Sequence, residues 1–150
     1  MATVRRLGPD DWEVFRDIRL RSLADTPDAF GSTLEREQSF TEADWRQRLN
    51  GPVYVVTDPG PVAVGGLFDD EGVGHVWGMW TDPAHRGHGH AHRILDALIA
   101  PETDVVLDVN LANEAARAAY VRYGFVGTGR LEPLRPGSAQ VMERMVLRRG

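Results

Sequence analysis

The chain of 150 residues contains no cysteine, and none of its 17 basic residues is lysine. Without cysteine there is no thiol nucleophile and no cysteine-based zinc site. Without lysine there is no phosphate-binding loop of the GxxxxGK type. The sequence also lacks an apolar signal core at its start and any apolar run near the roughly 20 residues that span a bilayer. We therefore expect a cytoplasmic protein that does not enter membranes.

The overall composition is that of a soluble globular protein. Hydrophobic residues make up 42% and charged residues 26%, which is too apolar for a disordered chain. A chain of this length fits one domain, so we predict a single domain over residues 1–150. The formal net charge of −5 argues weakly against nucleic acid as a partner and is compatible with a cationic substrate.

Apolar periodicity predicts the elements and their order. The predicted order is β-α-α-β-β-β-α-β-α-β-β, with strands at 3–7, 53–57, 61–68, 74–81, 104–110, 125–129 and 140–147 and helices at 8–27, 41–49, 91–100 and 113–123. This order indicates an α/β (α+β) fold with a mixed sheet flanked by helices and a strand–helix–strand unit at 74–109. The segment DAFGSTLEREQSF (28–40) has no clear period, and we expect it to be a loop that faces a ligand.

The tract HRGHGHAHRIL (85–95) holds four of the five histidines. A metal site is one interpretation, because histidine-rich tracts can bind zinc or nickel. The tract has no HExxH arrangement, and its nearest acidic residue, Asp82, lies on the other side of Pro83. Loop histidines without organised partners bind metal weakly. We therefore predict no metal site.

The glycines of the same tract favour an anion site. Residues 86–91 lie between a predicted strand and the first turn of a predicted helix, where unpaired backbone N–H groups bind anions. Gly87 and Gly89 permit positive φ and the close approach of a phosphate. A pyrophosphate fits such a loop, and the alternative is a glycine-rich loop that only starts a helix. A dinucleotide loop of the GxGxxG type is disfavoured, since His92 occupies the third glycine position.

Two blocks of this sequence resemble the GNAT superfamily of N-acetyltransferases. Arg86, Gly89 and Ala91 match its R/Q-x-x-G-x-G/A signature. The second block, NEAARAAYVRYGF (113–125), is similar to the family's N-x-x-A-x-x-x-Y-x-x-x-G-F. The blocks stand at the expected distance, and the element order matches over nearly the whole chain. Together they imply a single GNAT-like domain.

The resemblance implies acetyl-CoA as the acetyl donor and a primary amine, on a small molecule or a protein N-terminus, as the acceptor. The pyrophosphate is then expected on the loop of Arg86, Gly87, His88, Gly89, His90 and Ala91, and the pantetheine arm beside Met79, Trp80 and Thr81. Such an arm can pair with exposed strand backbone as an added strand does. Asn113 is expected to cap the last predicted helix, and a contact with the cofactor is also open. Relatives commonly form homodimers, so a homodimer is a further expectation.

The resemblance also points to catalytic residues. Tyr120 matches the family's tyrosine that protonates the CoA thiolate, and a core aromatic on the helix face is the alternative. The family's usual glutamate is missing from GHVWGMWT (74–81). Asp108 in VLDVN resembles the carboxylate of L-E-V in ribosomal-protein N-terminal acetyltransferases. It is therefore either a general base that acts through water or a structural acid on a strand.

The acceptor site is the least determined part. Candidate acceptor-binding residues are Phe30, Glu35 and Trp77. Glu35, Glu37 and His75 are further candidates either for the general base or for binding a cationic acceptor. No residue pattern distinguishes an aminoglycoside, a polyamine, an amino acid or a peptide. The missing strand glutamate also leaves a second function open, a non-catalytic module that binds or senses acetyl-CoA or CoA.

Overall fold

The computed structural model describes residues 2–149. Its helices are α1 (Trp12–Asp25), α2 (Leu34–Gln38), α3 (Glu42–Arg48), α4 (His90–Leu98) and α5 (Glu114–Tyr123). Its strands are β1 (Thr3–Arg6), β2 (Val53–Thr57), β3 (Pro61–Asp70), β4 (Val73–Thr81), β5 (Val105–Asn110), β6 (Val126–Pro133) and β7 (Val141–Leu147). In this part of the chain no helix has both the length and the apolar character needed to cross a bilayer.

The strands form one mixed sheet in the order β1-β2-β3-β4-β5-β7-β6. Strands β4 and β5 pair in parallel, and the other neighbours pair antiparallel. Helix α4 connects the parallel pair, which confirms the strand–helix–strand unit predicted at 74–109. The predicted fold class is therefore confirmed.

Helices cover both faces of the sheet. On one face α4 buries Ile94, Leu95 and Leu98 against a cluster that includes Leu107 and Phe125. On the other face α1 and α3 bury a second cluster that includes Phe15, Ile18, Leu23, Trp45 and Leu49. Each such side chain stabilises the fold by roughly 1.5–3 kcal/mol when fully buried.

The segment 28–40 differs from its prediction, because residues 34–38 form helix α2. Thr33 starts this helix by accepting a hydrogen bond from the Arg36 N–H at 3.2 Å. Glu37 lies fully buried on it and binds Arg19 of α1 at 2.9 Å and Arg48 of α3 at 2.8 Å. Burial alone would raise the pKa of Glu37, but the hydrogen bonds and charges of Arg19 and Arg48 lower it. The prediction of a loop throughout is therefore wrong: these ion pairs hold α2 against its neighbours.

Strands β4 and β5 separate soon after they begin. They pair only at Gly74 with Val105 and at His75 with Val106 in the part of the chain that the structure describes. Further along, β4 bulges at Gly78, whose φ is 66°. The bulge places one extra residue of β4 opposite β3 and bends the strand. A wedge therefore opens between the carboxyl ends of the two parallel strands.

Candidate active site

A cavity of about 1060 Å³ occupies this wedge. Its walls come from the end of β4, from Asn110 of β5, from the connection after α1, from the β4–α4 loop and from α4 and α5. Ligand pockets typically have volumes of about 300–1,000 Å³ and often lie beyond the carboxyl ends of parallel strands. The lining includes all predicted cofactor-binding residues except His88 and His90, namely Met79, Trp80, Thr81, Arg86, Gly87, Gly89, Ala91, Asn113 and Tyr120.

The glycine loop has the backbone conformation that the sequence predicts. Gly87 and Gly89 adopt φ values of 81° and 78°, and nothing lies within 4 Å of a Cβ built on either residue. Gly89 is the N-cap of α4. The N–H groups of the first turn of α4 have no partners within the helix, and the positive end of the helix dipole lies there. The loop can therefore bind an anion that reaches its backbone.

Asp25 connects α1, β4 and this loop at the cavity wall. Its Oδ2 accepts a hydrogen bond from Trp80 Nε1 at 3.0 Å and another from Arg86 Nη2 at 3.0 Å. Arg86 also donates from Nε to the Thr81 carbonyl oxygen at 2.9 Å. These contacts fix the guanidinium, yet half of the Arg86 side chain (50%) stays exposed. Arg86 is therefore positioned to contact a phosphate as well.

Helix α5 supplies the opposite wall through the face that its periodicity predicts. Ala116, Ala119, Tyr120 and Tyr123 all line the cavity. Asn113 caps the helix as expected, since its Oδ1 accepts a hydrogen bond from the Ala116 N–H at 3.1 Å. Its side-chain NH₂ can still donate to a ligand.

The surroundings of Tyr120 keep its hydroxyl protonated. Its ring packs edge-on against Phe125, with 6.0 Å between the ring centroids. Burial raises the pKa of Tyr120 to about 12, so the hydroxyl keeps its proton at neutral pH. That hydroxyl makes no hydrogen bond within residues 2–149, and it is free to donate to a bound group.

The connection between α1 and α2 forms the third wall. Residues 25–29 line the cavity, and Pro27–Ala29 form a 3-10 turn. The Asp28 carbonyl oxygen accepts a hydrogen bond from Asn110 Nδ2 at 2.7 Å, and the Pro27 carbonyl oxygen accepts one from Arg135 Nη2 at 3.2 Å. The turn is therefore held from both sides.

A polar cluster joins α4 and α5 at the cavity rim. Asp96 lies 3.3 Å from His92 Nε2 and accepts a hydrogen bond from the Tyr123 hydroxyl at 2.9 Å. Burial, followed by this hydrogen bond, raises the pKa of Tyr123 to about 12. His92, Tyr123 and the neighbouring Arg122 all line the cavity. Tyr123 and His92 thus face Asp96 at the rim, and Arg122 adds one cation to the cavity lining.

Two predicted cofactor-binding residues of the loop, His88 and His90, are not among the residues that line the cavity. His88 is exposed, whereas His90 is buried, with only 4% of its surface accessible. Burial first, and then the charge of Arg93, lower the pKa of His90. The His90 side chain therefore packs inside the fold, whereas the exposed His88 side chain stays accessible beside the loop. Within residues 2–149 no three His, Asp or Glu side chains are grouped so that they could hold a metal ion.

The structure does not bring the predicted acceptor-binding residues to the cavity. Phe30 is buried beneath the guanidinium of Arg19, at 4.7 Å from the ring centroid. Trp77 packs edge-on against Phe15 at 5.9 Å, because side chains alternate along β4 and this one faces α1. Glu35 is exposed on α2 and does not line the cavity.

Asp108, the predicted general base, also lies outside the cavity lining. Arg144 of β7 binds both of its carboxylate oxygens at 3.0 Å. Its neighbours Leu107 and Val109 belong to the same core cluster as Tyr120, so Asp108 points to the other face of the sheet. The sequence prediction missed this separation.

The two further candidates also lie elsewhere. Glu37 is buried in its ion pairs with Arg19 and Arg48. His75 stacks on Phe68, with 4.8 Å between the ring centroids, beside the paired start of β4.

Some lining residues were not predicted from the sequence, namely Asp25, Asp28, Asn110 and Arg122. The sequence could have predicted Asn110 as a lining residue, because Asn110 ends a strand that borders the expected ligand. Arg122 also carried a usable signal, since it follows Ala119 of the cavity face of α5 by three positions, about one helical turn. The two aspartates had no such signal, since only the path of the chain after α1 brings them there.

Comparison with known proteins agrees with this geometry. A sequence model of the Acetyltransferase (GNAT) family matches residues 14–125. None of the curated proteins compared with the chain matches it.

Solved structures with this fold cover essentially the whole chain. An acetyltransferase of the GNAT family from Streptococcus pneumoniae is 15% identical, with 100% of both chains covered and a TM-score of 0.83. The protein yncA from Salmonella typhimurium, solved with its cofactor acetyl-CoA, is 20% identical, with 100% of this chain and 95% of that chain covered and a TM-score of 0.73. The ribosomal-protein-S18-alanine N-acetyltransferase from Escherichia coli is 16% identical, with 100% and 95% covered and a TM-score of 0.70.

The fold, the family match and the wedge-shaped cavity define an enzyme of the acetyltransferase class. The chain belongs to the GNAT family of acetyltransferases.

Proposed function

We propose that this protein transfers the acetyl group of acetyl-CoA to a primary amine by direct attack. The observation that carries the proposal is one cavity that joins the glycine loop, the open strand wedge and Tyr120. Each of these parts matches one need of the reaction: an anion site, a site for an extended arm and a proton donor.

The cavity suits the two distinct parts of acetyl-CoA. The pyrophosphate fits the positive-φ glycines and the first turn of α4, with Arg86 alongside. The pantetheine arm fits the edge of β4 near Met79, where β5 has diverged and leaves backbone groups free to pair with amides. The acetyl-CoA bound by yncA, a protein of the same fold, supports this assignment.

Transfer requires two proton movements. As the amine nitrogen bonds to the carbonyl carbon, the carbon–sulfur bond breaks, the nitrogen loses a proton and the departing thiolate gains one. Tyr120 supplies the second proton from its hydroxyl, which stays protonated because its pKa is about 12. A positioned general acid of this kind typically contributes 10²- to 10⁴-fold in rate.

Asp108 stays the sequence-based prediction for the general base, and its pairing with Arg144 supports a structural role instead. Two substitutions separate these roles. A general base predicts that Asp108→Asn lowers kcat while Arg144→Gln does not. A structural ion pair predicts that both substitutions lower the free energy of unfolding to the same extent and leave kcat unchanged. Kinetics and thermal unfolding of the two variants decide between them.

The proposed function is tested first by ligand-dependent thermal stability. Acetyl-CoA and free CoA should each raise Tm, since a ligand at about 100 times its Kd adds roughly 2.7 kcal/mol, whereas NAD and zinc should not. Release of the CoA thiol in the presence of a panel of amines then measures turnover. Stabilisation by zinc alone would contradict the proposal.

A non-catalytic CoA-binding module is the second candidate, and the absence of glutamate from GHVWGMWT (74–81) favours it. Stabilisation by both CoA species without thiol release for any amine would support this alternative. The expectations of a cytoplasmic location and of a homodimer stay predictions.

A further inference from the structure

The carboxyl-terminal end of α1 is joined to the segment that follows β4 by two ion pairs. Arg21 donates from Nη2 to Asp82 Oδ2 at 2.7 Å. Asp25, four residues further along α1, accepts from Arg86 Nη2 at 3.0 Å. Residues four positions apart lie on the same face of a helix. One face of α1 therefore holds both ends of the segment 82–86.

The two ion pairs differ in their relation to the cavity, although they are similarly exposed. The arginine and aspartate side chains are 45% and 25% accessible in the Arg21–Asp82 pair and 50% and 32% accessible in the Arg86–Asp25 pair. Neither Arg21 nor Asp82 lines the cavity, whereas Asp25 and Arg86 both do. The Arg21–Asp82 pair therefore provides a control for any effect that comes only from joining α1 to this segment.

The Arg86 guanidinium is held on one side and open on the other. Its Nε donates to the Thr81 carbonyl oxygen at 2.9 Å, and its Nη2 donates to Asp25. Its Nη1 makes no hydrogen bond with any of residues 2–149. Arginine binds phosphate through the N–H groups of its planar guanidinium. Arg86 therefore keeps donors for a phosphate while its other donors hold the group in place.

Asp25 has two opposing effects on a phosphate that binds Arg86. The carboxylate fixes the guanidinium, so that the arginine loses less rotamer freedom when it binds the phosphate. The negative charge of the carboxylate also repels the phosphate. Because half of the Arg86 side chain is exposed, water and salt screen this repulsion. The orientation of the guanidinium is not screened, and the first effect therefore outweighs the second.

We infer that Asp25 is a positioning residue, which holds the Arg86 guanidinium in the orientation that binds the pyrophosphate of CoA. Asp25 acts on the cofactor through Arg86. Its Oδ2 also accepts the 3.0 Å hydrogen bond from Trp80 Nε1, so one oxygen atom joins the arginine to a side chain of β4. The inference rests on the proposed function, which places the pyrophosphate at the loop of Arg86.

Calorimetric titration of the full chain with CoA tests this role through a double-mutant cycle. Asp25→Ala should raise the Kd of CoA about tenfold, since one long side chain must then be immobilised on binding. Arg86→Ala should raise the Kd at least as much. Adding Asp25→Ala to Arg86→Ala should cause no further loss, because Asp25 acts through Arg86. Asp25→Asn keeps an oxygen acceptor for Arg86 and should restore most of the affinity.

Arg21→Gln is the matched control, because it breaks the other ion pair between α1 and the segment after β4. It should leave the Kd of CoA unchanged, and urea unfolding shows that each variant is folded. An unchanged Kd in Asp25→Ala would overturn the inference, and so would an equal loss in Arg21→Gln or a further loss in the double variant. A wild type whose CoA binding depends on Asp25 and Arg86 but that releases no thiol from acetyl-CoA would contradict the proposed function alone.

Discussion

The side-chain amide of Asn110 donates a hydrogen bond of 2.7 Å to the backbone carbonyl oxygen of Asp28. Asn110 is the last residue of β5, and Asp28 lies in the connection after α1. The same amide group lies 3.2 Å from Gln140 Oε1, and the Asn110 carbonyl oxygen accepts from Ala112. One buried carboxamide therefore holds the end of the sheet and the α1–α2 connection together at the cavity.

Asn110→Ala should lower the free energy of unfolding by about 1–3 kcal/mol, because it leaves partners of a buried amide without their hydrogen bonds. It should also raise KM for the amine more than it lowers kcat, because the α1–α2 connection loses the hydrogen bond that joins it to β5. Urea unfolding and steady-state kinetics measure both effects. Asn50→Ala, at an exposed site after α3, should change neither. Wild-type stability in Asn110→Ala would contradict the prediction.

Tyr120→Phe should lower kcat by about 10²- to 10⁴-fold with little change in acetyl-CoA affinity, because only the proton donor is removed. The assay is thiol release, with affinity taken from the acetyl-CoA dependence of Tm. Tyr54→Phe removes a hydroxyl from β2, outside the cavity lining, and should retain full activity. A Tyr120→Phe variant with normal kcat would remove the assigned role.

Gly89→Ala should destabilise the protein by about 1–2 kcal/mol, because its φ of 78° is in the left-handed region that a Cβ disfavours. It should weaken CoA binding as well, since the loop must keep this conformation to present its N–H groups. Gly60→Ala is the control: a Cβ there also meets nothing within 4 Å, but that glycine has no positive φ. Calorimetric CoA titration and thermal unfolding compare the two. Equal effects of both substitutions would count against a conformational role for Gly89.

Stability should fall as the pH drops below about 6.5, and His90 should account for part of the fall. Burial and then Arg93 lower the folded pKa of His90 from its ordinary value of 6.5, so the unfolded chain binds the proton more readily. The stabilising contribution is complete above the unfolded pKa and is lost as the pH falls toward the folded one. The charge of Asp58 opposes this shift and reduces its size.

The measurement is Tm between about pH 7.5 and pH 5.5 for the wild type and His90→Asn, which should show a shallower dependence. His75→Asn, which removes an imidazole of β4 that is not among the groups acting on His90, should keep the wild-type slope. A wild-type slope in His90→Asn would show that the buried imidazole does not set this dependence.

Features that depend only on residues close together in the sequence were predictable from it. The cavity face of α5 follows from helical periodicity, and the φ values of Gly87 and Gly89 follow from a short glycine-rich turn before a helix. The element order was also predictable, apart from α2. That five-residue helix has too few residues to show a period, and it is held by ion pairs with Arg19 and Arg48.

The contacts of Asp28 and Asp108 were decided by the tertiary structure alone. The 2.7 Å contact between Asp28 and Asn110 joins residues 82 positions apart, and the pairing of Asp108 with Arg144 joins residues 36 positions apart. The first contact depends on the path of the connection after α1 to the end of β5, and the second on the antiparallel register of β5 and β7, which places Asp108 opposite Arg144. The sequence by itself therefore determined the family, the conformation of the glycine loop and the place of Tyr120 on the cavity face of α5, because residues close together in the chain encode them. Which carboxylates lie at the cavity wall was decided only by contacts between distant parts of the chain, because these contacts determine where each residue lies.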